Sequence, residues 1–318
     1  MPRRRSAALV GLALLAAVLA ALALRDGAAP TETTRSPPGA EVVREQRIGP
    51  RVLDLTVRSP ALVADAKVRL LLPRGWTRGS GRRWPVLYLL HGCCDTYVSW
   101  TRSTDVEHLA ALRDVLVVMP DGGQVGFYSD WRAGRPRWES FHRRELLDIL
   151  ERHYGAGEPR SIAGVSMGGL GAMVYAARRP RLFRAAASFS GVLHPLRDAG
   201  VLLGLFGAYT AEPLAVWGDP ESDRDVWARH DPTELAQELR GVRLFVSSGD
   251  GRPGRFDAPA QREDPIERTV FRESRAFAGR LRALGIGFRA DFYGAGRHVW
   301  RYWERELERA LPLLVGAQ

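Results

Sequence analysis

The chain has 318 residues, 45% of them hydrophobic, and a formal net charge of +10. That content excludes a mainly disordered chain and leaves room for a sizeable core. The charge is carried by arginines scattered along the sequence, with Lys67 the only lysine, so it reads as a solvated basic surface and not a nucleic-acid footprint.

In chain order, Arg3, Arg4 and Arg5 precede an uncharged run from Ala7 to Leu24. This is the layout of a signal peptide or a signal anchor, both of which stay open over residues 1–27, and it predicts export with a route to cell-envelope association. Residues 28–46 are rich in Thr, Pro, Gly and charge, which predicts a flexible tether before a folded domain over 47–318.

Strand-like runs follow at Arg51–Arg58, Ala66–Leu72, Pro85–Leu90, Val115–Met119, Ser161–Val165, Ala185–Phe189, Val242–Ser247 and Phe288–Tyr293. Helical patterns fall at Thr104–Arg113, Trp138–Tyr154, Met167–Arg179, Pro265–Leu284 and Val299–Leu311. Two hairpin-like strands and then strand–helix alternation predict an α/β-hydrolase fold: a mostly parallel sheet, helices on both faces. Leu193–Thr233 reads as an insertion over the active site.

Gly164-Val165-Ser166-Met167-Gly168 fills the G-x-S-x-G pattern between a predicted strand and helix. The glycines permit a tight turn that presents Ser166, and Met167 opens the helix with a free N–H able to hold an oxyanion. A serine hydroxyl needs a base, and His298, after the last strand, stands where the order serine, acid, histidine puts it. The acid is Asp250, just after the penultimate strand, or Glu267.

The segments LLHG, VMPDGGQVGFYSDW, RWESFHRREL, GVSMGGLGAM and RHVWRYW occur in that order. Together they resemble the esterase D-like branch of α/β-hydrolases, most of all the antigen 85 mycolyltransferases of mycobacteria and their actinobacterial relatives, over Arg51 to Leu311. The resemblance implies a triad of Ser166, Glu267 and His298, and favours Glu267 because the family typically has asparagine where Asp250 stands. It also implies that Cys93 supplies the second oxyanion N–H beside Met167. The family's Asp-Gly-Leu-Arg is here His91-Gly92-Cys93-Cys94, so the side chains that contact trehalose are replaced. His91, Asp130, Trp131 and Trp300 are the remaining expected substrate contacts.

These readings predict an exported serine carboxylesterase acting on a small-molecule or lipid acyl ester. The alternatives are an acyltransferase passing the acyl group to a sugar or glycerol hydroxyl, and a non-catalytic wall-binding protein on the same scaffold. No cofactor and no nucleic-acid partner is implied. His91, Cys93, Cys94 and Asp95 lie too close together for a tetrahedral metal site, and Cys93 and Cys94 are either a vicinal disulfide or two packed thiols.

Overall fold

The computed structural model describes residues 39–258 and 260–316; the predicted export segment and the tether up to residue 38 lie outside it. Nine strands form one sheet: β1 (Glu41–Arg47), β2 (Val52–Arg58), β3 (Ala66–Leu71), β4 (Trp84–Leu90), β5 (Leu116–Pro120), β6 (Ala156–Val165), β7 (Ala185–Phe189), β8 (Arg243–Ser248) and β9 (Arg289–Phe292). Their spatial order is β1-β2-β3-β5-β4-β6-β7-β8-β9. The pairings β1–β2, β2–β3 and β3–β5 are antiparallel and the rest are parallel.

Side-chain alternation explains why β4 is apolar throughout. Val86, Tyr88 and Leu90 enter one core while Leu87 and Leu89 enter the other, so both sheet faces are covered. The first core packs the helix running Trp138–His153 (α2), α3 (Met167–Arg178) and α7 (Pro265–Ala283). The second packs α1 (Ser99–Ser103) and α8 (Trp300–Leu314). The chain leaves β4 for β5 on one side and reaches β6 on the other, which opens a crevice at the carboxyl ends of β4 and β6.

Three elements differ from expectation. β1 lies where tether was predicted: it is almost wholly exposed and buries nothing that a hydrophobic period could signal. The helix expected at Thr104–Arg113 is replaced by α1 and two short 3₁₀ turns, Val106–His108 and Ala110–Leu112. Thr104 turns extended, and its hydroxyl donates to the Trp100 carbonyl, ending the helix there. α2 is not regular either, since Phe141–Leu146 within it is π-helical.

The insertion folds into α4 (Ala199–Tyr209), α5 (Leu214–Trp217) and α6 (Arg224–Ala228). Edge-to-face contacts join Phe127, Phe206 and Trp217, and Trp227 packs on Trp217. The Trp217 indole N–H donates to Ser129 Oγ at 2.9 Å, tying α5 to the loop after β5.

Candidate active site

β6 ends in Ser166, whose backbone is held at φ 54°, ψ −118° before α3 begins at Met167. A non-glycine residue there stores on the order of 1–3 kcal/mol of strain, so the surroundings must impose it. They do: Ser166 N–H donates to the Phe189 carbonyl at 3.0 Å, and its carbonyl accepts from Gly169 N at 2.9 Å. A side chain at Gly164 would collide with the Gly168 carbonyl, and one at Gly168 would meet the Leu90 and His91 carbonyls at 2.5 and 2.6 Å. The two glycines therefore let the turn close against the loop after β4.

That loop carries His91, Gly92, Cys93 and Cys94. A Cβ on Gly92 would sit 3.4 Å from Ser166 Cβ, so the loop passes directly beside the serine. Cys94, at φ 65°, donates its N–H to the Gln124 carbonyl at 2.9 Å. Among the described residues the N–H groups of Cys93 and Met167 have no protein acceptor. Cys93 and Cys94 are joined as a vicinal disulfide.

His91 departs from its expected substrate contact. It is completely buried, its Nε2 accepts from Gly122 N at 2.9 Å, and its Nδ1 faces the Gly92 carbonyl at 2.7 Å. The Tyr128 hydroxyl donates to its carbonyl at 3.0 Å. With both ring nitrogens and the carbonyl engaged, His91 braces the loop from beneath and is not among the residues lining the cavity beside Ser166.

His298 follows β9. Its Nδ1 lies 2.7 Å from Glu267 Oε2, and its backbone N–H donates to Asp264 Oδ2 at 3.0 Å. Asp264 also caps α7, accepting from Ile266 N and Glu267 N, with Pro265 at the first helical position. One side chain thus fixes both the histidine loop and the helix turn bearing Glu267. The other oxygen of Glu267 is surrounded by Ser190 Oγ, Ser248 Oγ and Gly249 N at 2.8, 2.9 and 2.7 Å. Four donors saturate a completely buried carboxylate. The Trp303 indole donates to Ser190 Oγ at 3.0 Å and its ring stands edge-on to His298.

Asp250 does not reach His298. Its carboxylate binds Arg252 Nη2 and Nε at 2.6 and 2.9 Å, and that pairing holds it below the ordinary carboxylate range.

Other histidines are otherwise employed. His142 is buried between the Tyr175 hydroxyl and the Asp121 carbonyl, and burial lowers it to about 4. His230 donates to the Val226 carbonyl and stacks on Trp217; burial lowers it to about 3. His194 pairs with Asp231 at 2.8 Å, which raises it.

Ser166 opens into a cavity of ≈340 Å³ walled by Phe127, Val192, Leu202, Leu205 and Val270, with Glu273 among its lining. The Glu273 carboxyl is pushed up to about 8, chiefly by burial and further by Asp198, against the pull of the His194 N–H that it accepts.

Asp130 and Trp131 lie away from this cavity. Asp130 accepts from Ser140 N and Oγ at 2.9 and 2.6 Å, and Trp131 packs partly buried against the core. Trp300 stacks edge-on against Trp100 and Trp303 and is not among the cavity's walls.

Ser190, Ser248 and Asp264 escaped the sequence reading. Only Asp264-Pro265 carried a local signal, an N-cap residue before a first-turn proline.

The Esterase family matches residues 59–314. The chain belongs to that family. It is 32% identical over 283 residues to the diacylglycerol acyltransferase/mycolyltransferase Ag85B of Mycobacterium intracellulare, covering 83% of this chain and 82% of the relative. It is also 32% identical to the esterase Rv1288 of Mycobacterium tuberculosis, over 83% of this chain and 59% of that longer protein. The crystal structure of Mycobacterium tuberculosis MPT51 superposes with a TM-score of 0.67 at 29% identity, covering 83% of this chain and 97% of MPT51. As an Esterase-family member with an α/β-hydrolase fold, the chain falls in the class of serine esterases and acyltransferases.

Proposed function

We propose that the chain is an exported serine esterase in which Ser166 attacks an acyl ester, His298 is the general base and Glu267 orients it. The observation that carries this reading is the 2.7 Å contact between Glu267 and His298 Nδ1, with Ser166 held on its strained turn beside an apolar cavity. When His298 donates Nδ1–H to Glu267, its Nε2 is left as the acceptor that a serine proton needs. Attack on the carbonyl gives a tetrahedral oxyanion, which the unpaired N–H groups of Cys93 and Met167 are placed to hold. His298 then protonates the leaving alkoxide, and an acyl-enzyme remains on Ser166. Water, deprotonated by His298, then attacks the acyl-enzyme, and His298 returns that proton to Ser166 Oγ as the ester bond breaks and the acid leaves.

The apolar cavity suits the acyl chain, and water is the favoured acceptor because His91-Gly92-Cys93-Cys94 puts no exposed polar side chain where the family's sugar-contacting Asp and Arg stand. Braced from below, His91 cannot take the part of the aspartate that contacts trehalose in the antigen 85 family. Transfer to a sugar or glycerol hydroxyl is the alternative, supported by the 32% identity to Ag85B. Export rests on Arg3–Arg5 and the apolar run Ala7–Leu24. Among the described residues no helix is long and apolar enough to cross a membrane.

A fluorophosphonate probe should label the folded protein, and Ser166→Ala should abolish both labelling and p-nitrophenyl ester cleavage. Absence of labelling would instead favour a non-catalytic binding protein. Adding trehalose or glycerol to the ester assay separates the acceptors: dominant transfer product would reverse the preference for water.

A further inference from the structure

A second depression, of ≈390 Å³, lies at the far end of the helix that Ser166 begins, between α2 and α6. Arg178, in its wall, is 12 residues beyond Ser166 along α3, about 18 Å by helix rise. The depression is therefore separate from the cavity beside the serine.

Its walls are strongly basic. Arg143 and Arg178 share a single carboxylate, Glu139, and Arg132 pairs with Asp223 at 3.0 Å. Asp130 is occupied by Ser140 and by Arg137 at 3.5 Å. Arg144 and Arg229 also line the depression, both are exposed, and among the described residues neither pairs with a carboxylate. With Arg137 and Asp223, which pair with lining residues from outside the depression, counted in, six guanidinium groups stand against three carboxylates, leaving three positive charges uncompensated. His230 in the same wall adds none, since burial keeps its ring neutral. Behind the rim, Arg143 is 12% exposed and its Nε has no hydrogen-bond partner.

Like charges held this close repel, and a bound anion relieves them. A planar carboxylate brings one charge and satisfies one guanidinium fork, whereas a tetrahedral phosphate can meet several guanidinium groups at once. We propose that this depression is a binding site for a phosphate group, held by Arg144 and Arg229 at the rim with Arg143 behind them. The phosphate can belong to a free phosphomonoester or to a phospholipid headgroup, which share the chemistry.

The test uses the full chain and its Arg144→Gln/Arg229→Gln variant. Inorganic phosphate should raise the Tm of the parent saturably, beyond sodium chloride at equal ionic strength. In the variant its affinity should fall by at least about tenfold, the loss of one charge-assisted hydrogen bond. Both substituted side chains are exposed, so the variant should fold and keep its esterase activity. In co-sedimentation, a preference for phosphatidylglycerol over phosphatidylcholine vesicles that the variant loses would assign the phosphate to lipid. No such preference beside a saturable phosphate effect would assign it to a soluble ligand. If phosphate stabilises no more than chloride and the vesicles show no preference, or if the variant responds as the parent does, the proposal fails.

Discussion

Glu267 meets His298 Nδ1 at 2.7 Å, while Asp250, nearer the end of β8, is turned outward to Arg252. Two carboxylates that the sequence left in competition are thus separated by their partners. Glu267→Gln keeps the shape but offers an amide where the imidazole needs an acceptor of charge, so kcat should fall by ~10³–10⁴. Asp250→Asn should leave kcat nearly unchanged, and steady-state ester cleavage by the two variants checks this.

Ser190 acts through Glu267, since its hydroxyl joins that carboxylate to the Trp303 indole. Ser190→Ala leaves a buried indole N–H without an acceptor, at a cost of about 1–3 kcal/mol in stability. As a positioning residue it should lower kcat more than it changes KM. Equal effects on both, or on stability alone, would give it a merely structural role.

Glu273 predicts a pH dependence. Its carboxyl is held near 8 in the folded chain, above the ordinary value of 4.5. Between those pH values the folded state keeps a proton that the unfolded state releases, so stability falls as pH rises through this window. The slope is at most about 1.4 kcal/mol per pH unit and vanishes above 8. Relative to the parent, Glu273→Gln should lose less stability, or gain more, as pH rises from 5 to 8; a profile parallel to the parent's would assign none of the dependence to Glu273.

In the loop after β4 the backbone, and not sulfur, is assigned the oxyanion role. Cys93→Ala should therefore retain most of the activity, whereas Gly168→Ala should lose it, because the added methyl would push on the Leu90 and His91 carbonyls. Loss of activity in well-folded Cys93→Ala protein would return the chemistry to the thiol or the disulfide.

What the sequence disclosed follows what was local. The two-sided burial of β4 appears as a continuous apolar run, and the turn at Ser166 appears as glycines at 164 and 168. β1 carries no hydrophobic period, since Val42 alone in this charged edge strand is partly buried. The His91-Gly92 pair resembles the His-Gly that shapes the oxyanion loop in ordinary esterases, but the partner that holds the ring, Gly122, lies 31 residues away and carries no local pattern. Glu267 could be preferred only through resemblance, since the three donors around its other oxygen come from β8 and the ends of β7 and β8.

The most direct test is to trap the acyl-enzyme. The parent protein, quenched in acid within milliseconds of mixing with p-nitrophenyl butyrate, is digested and its peptides weighed. The account predicts a butyryl group on the peptide bearing Ser166, and none in Ser166→Ala. An adduct on Cys93 or at any other residue would contradict it.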